Sequence, residues 1–102
     1  MSSPTARSLA YLREQGWHAE VVERNERTPH KTWKVDLFGF ADVLAIRAGE
    51  RLLVQATDDT SVSKRVRKVA DSPLVGLVRE AGFRIEVWGW RRDGRLRVVD
   101  LS

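Results

Sequence analysis

FADVLAIRAGERLLVQAT, residues 40 to 57, reads as two apolar strands around a short polar turn, and its register decides the fold. A two-residue turn at Ala48 and Gly49 sets Arg47 opposite Glu50. In that register Asp42 lies directly across from Gln55 on one face, with side-chain carbons about 5 Å apart. Phe40 then faces Thr57, while Val43, Ala45, Leu52, Val54 and Ala56 line the opposite face. A slip of one residue would separate Asp42 from Gln55. Both faces are largely apolar, so the hairpin is expected at the centre of its sheet and covered on both sides. An ionised carboxylate inside a sheet is costly unless it is paired, hydrogen-bonded or bound to a metal. Two readings stand at this point. Asp42 caps a turn or accepts backbone donors, with Gln55 donating to it as a satisfied polar pair, or the two residues belong to a functional site.

Working outward, Ser3 is placed to cap a first helix with Pro4 at its first position, Leu9, Leu12 and Tyr11 on its apolar side and Gly16 at its end. Trp17, Ala19 and Val21 then alternate in a short strand. The charged segment from Asn25 to Thr32 contains Pro29 and reads as a loop. After the hairpin the period changes. Thr60 or Ser61 caps a helix whose apolar side is Val62, Val66, Val69 and Ala70 and whose exposed surface carries Lys64, Arg65, Arg67 and Lys68. Ser72 and Pro73 start a second helix that Gly82 ends. FRIEVWGW, residues 83 to 90, alternates Phe83, Ile85 and Val87 against Arg84, Glu86, Trp88 and Trp90, and RRDG turns the chain into a last strand. The expected fold is α/β, a mixed β-sheet with helices on its faces, in one domain over residues 1 to 102.

The composition fits a soluble globular chain: 42% hydrophobic and 31% charged residues in 102. No apolar run approaches the roughly 20 residues that span a bilayer, and the first residues lack the layout of a signal peptide. Without cysteine there is neither a disulfide nor a thiolate metal site, which suits a cytoplasmic protein. His18 and His30 lie far apart and show no metal-ligand spacing. Residues 61 to 97 hold ten Lys/Arg against four acids (Asp71, Glu80, Glu86, Asp93), a local +6, whereas residues 1 to 60 hold eight against nine. That asymmetry fits either a polyanionic partner or a solvated basic face.

A helix, then a hairpin with an acid on one strand and an oxygen ligand opposite, then a Ser/Thr-capped basic helix resembles the PD-(D/E)XK nuclease superfamily. The likeness is greatest to its small archaeal and phage Holliday-junction resolvases and covers roughly residues 4 to 90. Asp42 matches the family's Asp, Gln55-Ala56-Thr57 stands in place of Glu-x-Lys, and Gly16-Trp17 matches the Gly-aromatic step after the first helix. The resemblance implies a restriction-endonuclease-like sheet and divalent-metal-dependent hydrolysis of DNA phosphodiesters. It implies one or two Mg²⁺ or Mn²⁺ ions held by acids. It also implies a homodimer, because a branched junction offers two symmetric cleavage sites. The sequence departs from the family where Gln55 brings no charge, Thr57 no cation, and Thr5 or Ala6 no helix Glu.

Nearby residues offer replacements. Asp36 is a candidate second carboxylate and Lys34 a migrated lysine, and Asp58 and Asp59 follow the motif strand. The expected metal ligands are thus Asp42, Gln55 and Asp36, with Lys34 in support. The helix N-terminus at Ser61, followed by Lys64, Arg65, Arg67 and Lys68, is expected to hold the DNA backbone without reading bases. Trp88 and Trp90 share one strand face, either as core under a helix or as a dimer contact or platform for unstacked bases. The expected activity is that of a metal-dependent DNA endonuclease acting on duplex or branched DNA. The alternative is a DNA-binding or assembly module that keeps the fold and has lost the chemistry.

Overall fold

Ser3 Oγ accepts a hydrogen bond from the Ala6 amide at 3.1 Å, Pro4 fills the first helical position, and helix α1 runs from Pro4 to Glu14. It stops where Gly16 takes φ 88°, a left-handed conformation open to glycine. The computed structural model describes residues 2–102. After α1 come strands β1 (His18–Val21), β2 (Arg24–Thr28), β3 (Lys31–Val35), β4 (Val43–Arg47) and β5 (Glu50–Asp58). A single 3-10 turn (Asp59–Ser61) leads into α2 (Val62–Ala70), α3 (Val75–Glu80), β6 (Arg84–Trp90) and β7 (Leu96–Asp100).

The β4–β5 register is the one drawn from sequence: Val43 faces Val54 and Arg47 faces Glu50, with Gly49 at φ 74° in the turn. The main sheet has the order β1-β4-β5-β6-β7. β5 and β6 run parallel, joined by the α2–α3 crossover, and the other pairs are antiparallel, so the sheet is mixed. β4 and β5 lie inside it. One face packs Val43, Ala45, Leu52 and Val54 with Leu12 of α1, and the other packs Leu53, Ile85 and Val87 with Val62, Val69 and Val78 of α2 and α3. The fold is α/β with helices on both faces of the sheet. Ala70, expected on the apolar side of α2, is exposed at its end.

Trp88 and Trp90 belong to the core under α1. Tyr11 meets both rings edge-on, at centroid distances of 5.7 and 6.0 Å. Their indole N–H groups are satisfied internally, by Glu86 Oε1 and by Ser8 Oγ, each at 2.9 Å. Neither ring is free to stack on a base. At Gly89 between them, a Cβ would lie 2.3 Å from Val62 Cγ2, so the start of α2 rests directly on the β6 backbone.

The segment expected as a loop is a hairpin. β2 and β3 pair antiparallel from Arg24 opposite Val35 to Thr28 opposite Lys31, with Pro29 and His30 forming the turn. Its first strand has no apolar residue, so no hydrophobic period announces the pairing. Pro29 sits where the chain must turn, not where it would interrupt a ladder. Among the described residues no helix is long and apolar enough to cross a membrane.

Candidate metal centre and cation-lined cleft

The residues between β3 and β4, Asp-Leu-Phe-Gly-Phe-Ala-Asp, fold into a tight turn that returns the chain on itself. Ala41 N donates to Leu37 O at 2.8 Å, and Gly39 N donates to Asp36 O at 3.0 Å. The turn requires positive φ at two successive residues, Phe38 (58°) and Gly39 (82°). Glycine adopts this freely, whereas phenylalanine does so at a cost. Ser72, between α2 and α3, holds the turn by donating from Oγ to Phe38 O at 3.0 Å. Asp36 and Asp42, six positions apart, are thereby brought to the same place.

Asp42 is 4% exposed. Its Oδ2 accepts from Gln55 Nε2 at 2.5 Å and from the Ala56 amide at 2.9 Å. The expected cross-strand contact is therefore made, and the first reading of it, a hydrogen-bonded polar pair, is correct as far as it goes. It leaves two things unexplained. Gln55 Oε1 is buried without a hydrogen-bond partner. Moreover, Asp42 is crowded by acids: ligand oxygens of Glu23, Asp36 and Asp42 all lie within 4.8 Å of one another. Burial, opposed by the Ala56 amide and reinforced by Asp36 and Glu23, pushes the Asp42 carboxyl up to about 8. Three converging carboxylates, in a cleft that Gln55 also lines, form a hard oxygen donor set of the kind that suits Mg²⁺ or Mn²⁺. The residues present fit such an ion.

Glu23 is not among the candidates the sequence offers. It sits just before β2, in the position that continues the β2–β3 ladder opposite Asp36. Recognising that hairpin would have exposed the pair. The cleft around the acids has a volume of about 410 Å³. Its wall includes Thr5 at the start of α1, where the resemblance would put a Glu and this chain has no charge.

Cations border the cleft on two sides. Lys34 Nζ lies 3.6 Å from Glu23 Oε1, and Lys68 of α2 pairs with Asp36. Arg65, one turn before Lys68, also lines the cleft, and its Nε is buried with no partner. The basic residues of α2 thus divide: Arg65 and Lys68 turn into the cleft, while Lys64 and Arg67 are exposed. Elsewhere in the basic half, Arg84 pairs with Glu86 and Glu50, Arg91 with Asp59, and Arg95 with Asp93. The basic surplus is therefore less free than its count suggests.

Two expectations are corrected here. Ser61 makes no capping bond, and the turn before α2 is capped by Asp58, which accepts from the Thr60 and Ser61 amides at 3.0 and 3.1 Å. Those N–H groups are occupied by a carboxylate and do not wait for a phosphate. The Thr60 hydroxyl, together with both amides, holds the Asp58 carboxyl below the usual range. Asp58 lines the cleft, but it is committed to this cap. No family model matches the chain. Nor does any curated protein match it.

Proposed function

We propose that this protein is a divalent-metal-dependent DNA endonuclease of the PD-(D/E)XK kind, acting on duplex or branched DNA. The observation that carries the reading is the convergence of Glu23, Asp36 and Asp42 in a cleft that Gln55 also lines. Asp42, Asp36 and Glu23 would hold Mg²⁺ or Mn²⁺, with Gln55 as a neutral oxygen ligand. When bound, the ion would supply charge neutralisation at a phosphate and a water acidified enough to attack it.

The chain's own residues carry the rest. Arg65 lines the cleft, and its guanidinium offers donors to a non-bridging phosphate oxygen. Lys68 balances Asp36 and adds positive charge where the pentacovalent phosphate gathers negative charge. These two side chains stand in for the lysine that Thr57 replaces, and Glu23 stands in for the absent helix Glu. Lys34 acts from the other wall, against Glu23. Lys64 and Arg67, exposed on the same helix, supply backbone contacts without sequence preference.

The test is incubation of the purified protein with labelled four-way-junction, duplex and single-stranded DNA, in Mg²⁺ or Mn²⁺, beside Asp42→Ala. Metal-dependent cleavage that is lost in the variant supports the nuclease, and the best substrate names its class. Binding without cleavage under either metal would leave a DNA-binding or assembly module built on the same fold. A homodimer on branched DNA would appear as paired cuts and as a doubled mass in sedimentation.

A further inference from the structure

The β2–β3 ribbon stands apart from the main sheet, and its two strands pack chiefly on each other. A solitary two-stranded ribbon is marginal by itself in water. This one buries almost nothing: of its ten residues only Glu26 and Val35 are even half-buried. Its composition is accordingly not explained by core packing.

The register divides its side chains into two faces. Directly opposed residues share a face, and faces alternate along each strand. One face carries Arg24, Glu26 and Thr28 with Lys31, Trp33 and Val35. It is self-contained: Arg24 pairs with Glu26 at 2.8 Å, and Lys31 lies over the Trp33 ring, 5.9 Å from its centroid. The other face carries Asn25 opposite Lys34 and Arg27 opposite Thr32. Continued one step past the ladder, the same face reaches Glu23 and Asp36, and Lys34, Glu23 and Asp36 all line the cleft. A polar stripe therefore runs outward from the carboxylate cluster through Lys34 and Asn25 to Arg27 and Thr32. Arg27 has no acidic partner among the described residues and is exposed.

We infer that this face of the ribbon is an arm that lies along the phosphate backbone of duplex DNA flanking the cleft. The inference rests on the nuclease reading and extends it to a second surface. Charge decides the occupant, since outward of Glu23 and Asp36 this face carries only Lys34, Arg27 and the neutral Asn25 and Thr32, which complement a polyanion. The absence of aromatics on this face decides between strand forms. Unpaired bases are held by stacking platforms, and the ribbon's one ring, Trp33, is on the other face under Lys31. Strands rise about 3.4 Å per residue, so Arg27 and Thr32 stand roughly 14 Å from Asp36. Over that length duplex DNA presents on the order of eight phosphate charges. With Arg65 and Lys68 on the α2 wall, the backbone would meet cations on both sides of the acids.

The test compares two substitutions on the two faces of the same ribbon, Arg27→Ala and Lys31→Ala, which remove the same charge. Binding of a labelled linear duplex is followed by anisotropy across a salt series, in EDTA and again with Mg²⁺ on an Asp42→Asn background. Arg27→Ala is expected to weaken binding several-fold and to make the log–log salt slope shallower by about 1, the signature of one lost phosphate contact. Lys31→Ala should leave both unchanged. Equal effects from the two substitutions would overturn the assignment of this face while leaving the nuclease reading intact. Absence of duplex binding both by the wild type in EDTA and by Asp42→Asn in Mg²⁺ would overturn both. Binding of single strands as tight as duplex, with the same dependence on Arg27, would overturn the duplex as occupant.

Discussion

Lys68 on α2 and Asp36 at the root of the ribbon form an ion pair, although 32 residues separate them in sequence. The contact ties the helix wall of the cleft to the turn that assembles the acids, and it is the only cation paired with Asp36 among the described residues. Lys68→Met keeps the aliphatic stem and removes the charge paired with Asp36, leaving Lys34 and Arg65 as the cations of the cleft. Breaking a fully buried pair costs more than an exposed one returns, and Lys68 is about one-third exposed, so a loss of about 1–2 kcal/mol is expected. Urea denaturation at neutral pH without divalent ions would read it, and addition of Mg²⁺ should recover most of it. An unchanged midpoint would show that the pair contributes nothing to stability.

Asp42 gives the protein an unusual dependence on pH. Its carboxyl is raised from 3.8 to about 8 in the folded state. Below the lower value both states hold the proton. Between the two values the folded state keeps a proton that the unfolded chain releases, so stability falls as pH rises through this window and levels off above it. Asp42→Asn carries no such titration. Its melting temperature should exceed that of the wild type at pH 8 without metal, and the gap should close toward pH 4. Mn²⁺ favours the ionised carboxylate and should flatten the wild-type fall. A difference between the two proteins that does not vary with pH would refute the burial of a proton at Asp42.

Gln55→Glu tests the donor set from the opposite direction. The substitution nearly conserves volume but puts a fourth carboxyl beside Asp42, within reach of the oxygen that Gln55 Nε2 now contacts at 2.5 Å. Like charges at that separation cannot both ionise in a buried site, so the metal-free protein should melt lower than wild type near pH 8. With Mg²⁺ the order should reverse, and the titrated Mg²⁺ affinity should rise at least about tenfold, since ligand charge governs the affinity of oxygen sites. Isothermal titration at pH 8 would show this directly. Unchanged affinity would mean that Gln55 does not face the ion.

The sequence made the central hairpin legible to the residue, because two apolar strands of matched length around Ala48 and Gly49 admit one register with both faces covered. The Ser3 cap of α1 and the glycine ends follow from equally local rules, and the core position of Trp88 and Trp90 is one of the two readings their shared face allowed. Two parts of the site did not show. Strand β2, Arg-Asn-Glu-Arg-Thr, has no apolar residue, so periodicity had nothing to report there, and without its pairing to β3 Glu23 could not be set opposite Asp36. The cap at α2 was placed on Thr60 or Ser61 because hydroxyls before a helix are good caps. Asp58, with a full charge and reach to two amides, competes better for them. Asp36 and Lys34 were legible as candidates, but Lys68 as Asp36's partner needed the tertiary packing of α2 on β6.

Arg65 separates function from stability most sharply. Its Nε is a buried donor without an acceptor, an arrangement that costs on the order of 1–3 kcal/mol relative to a satisfied group. Arg65→Met retains the apolar stem and removes the orphan, so the variant should unfold at the same denaturant concentration as wild type or a slightly higher one. Its cleavage rate in saturating Mg²⁺ should fall by about 10²–10³, the usual cost of deleting one preorganised donor aimed at developing charge. The decisive outcome is the combination. A large loss of rate with stability kept assigns the guanidinium to the substrate phosphate, whereas a parallel loss of both would make Arg65 a structural residue of the α2 wall.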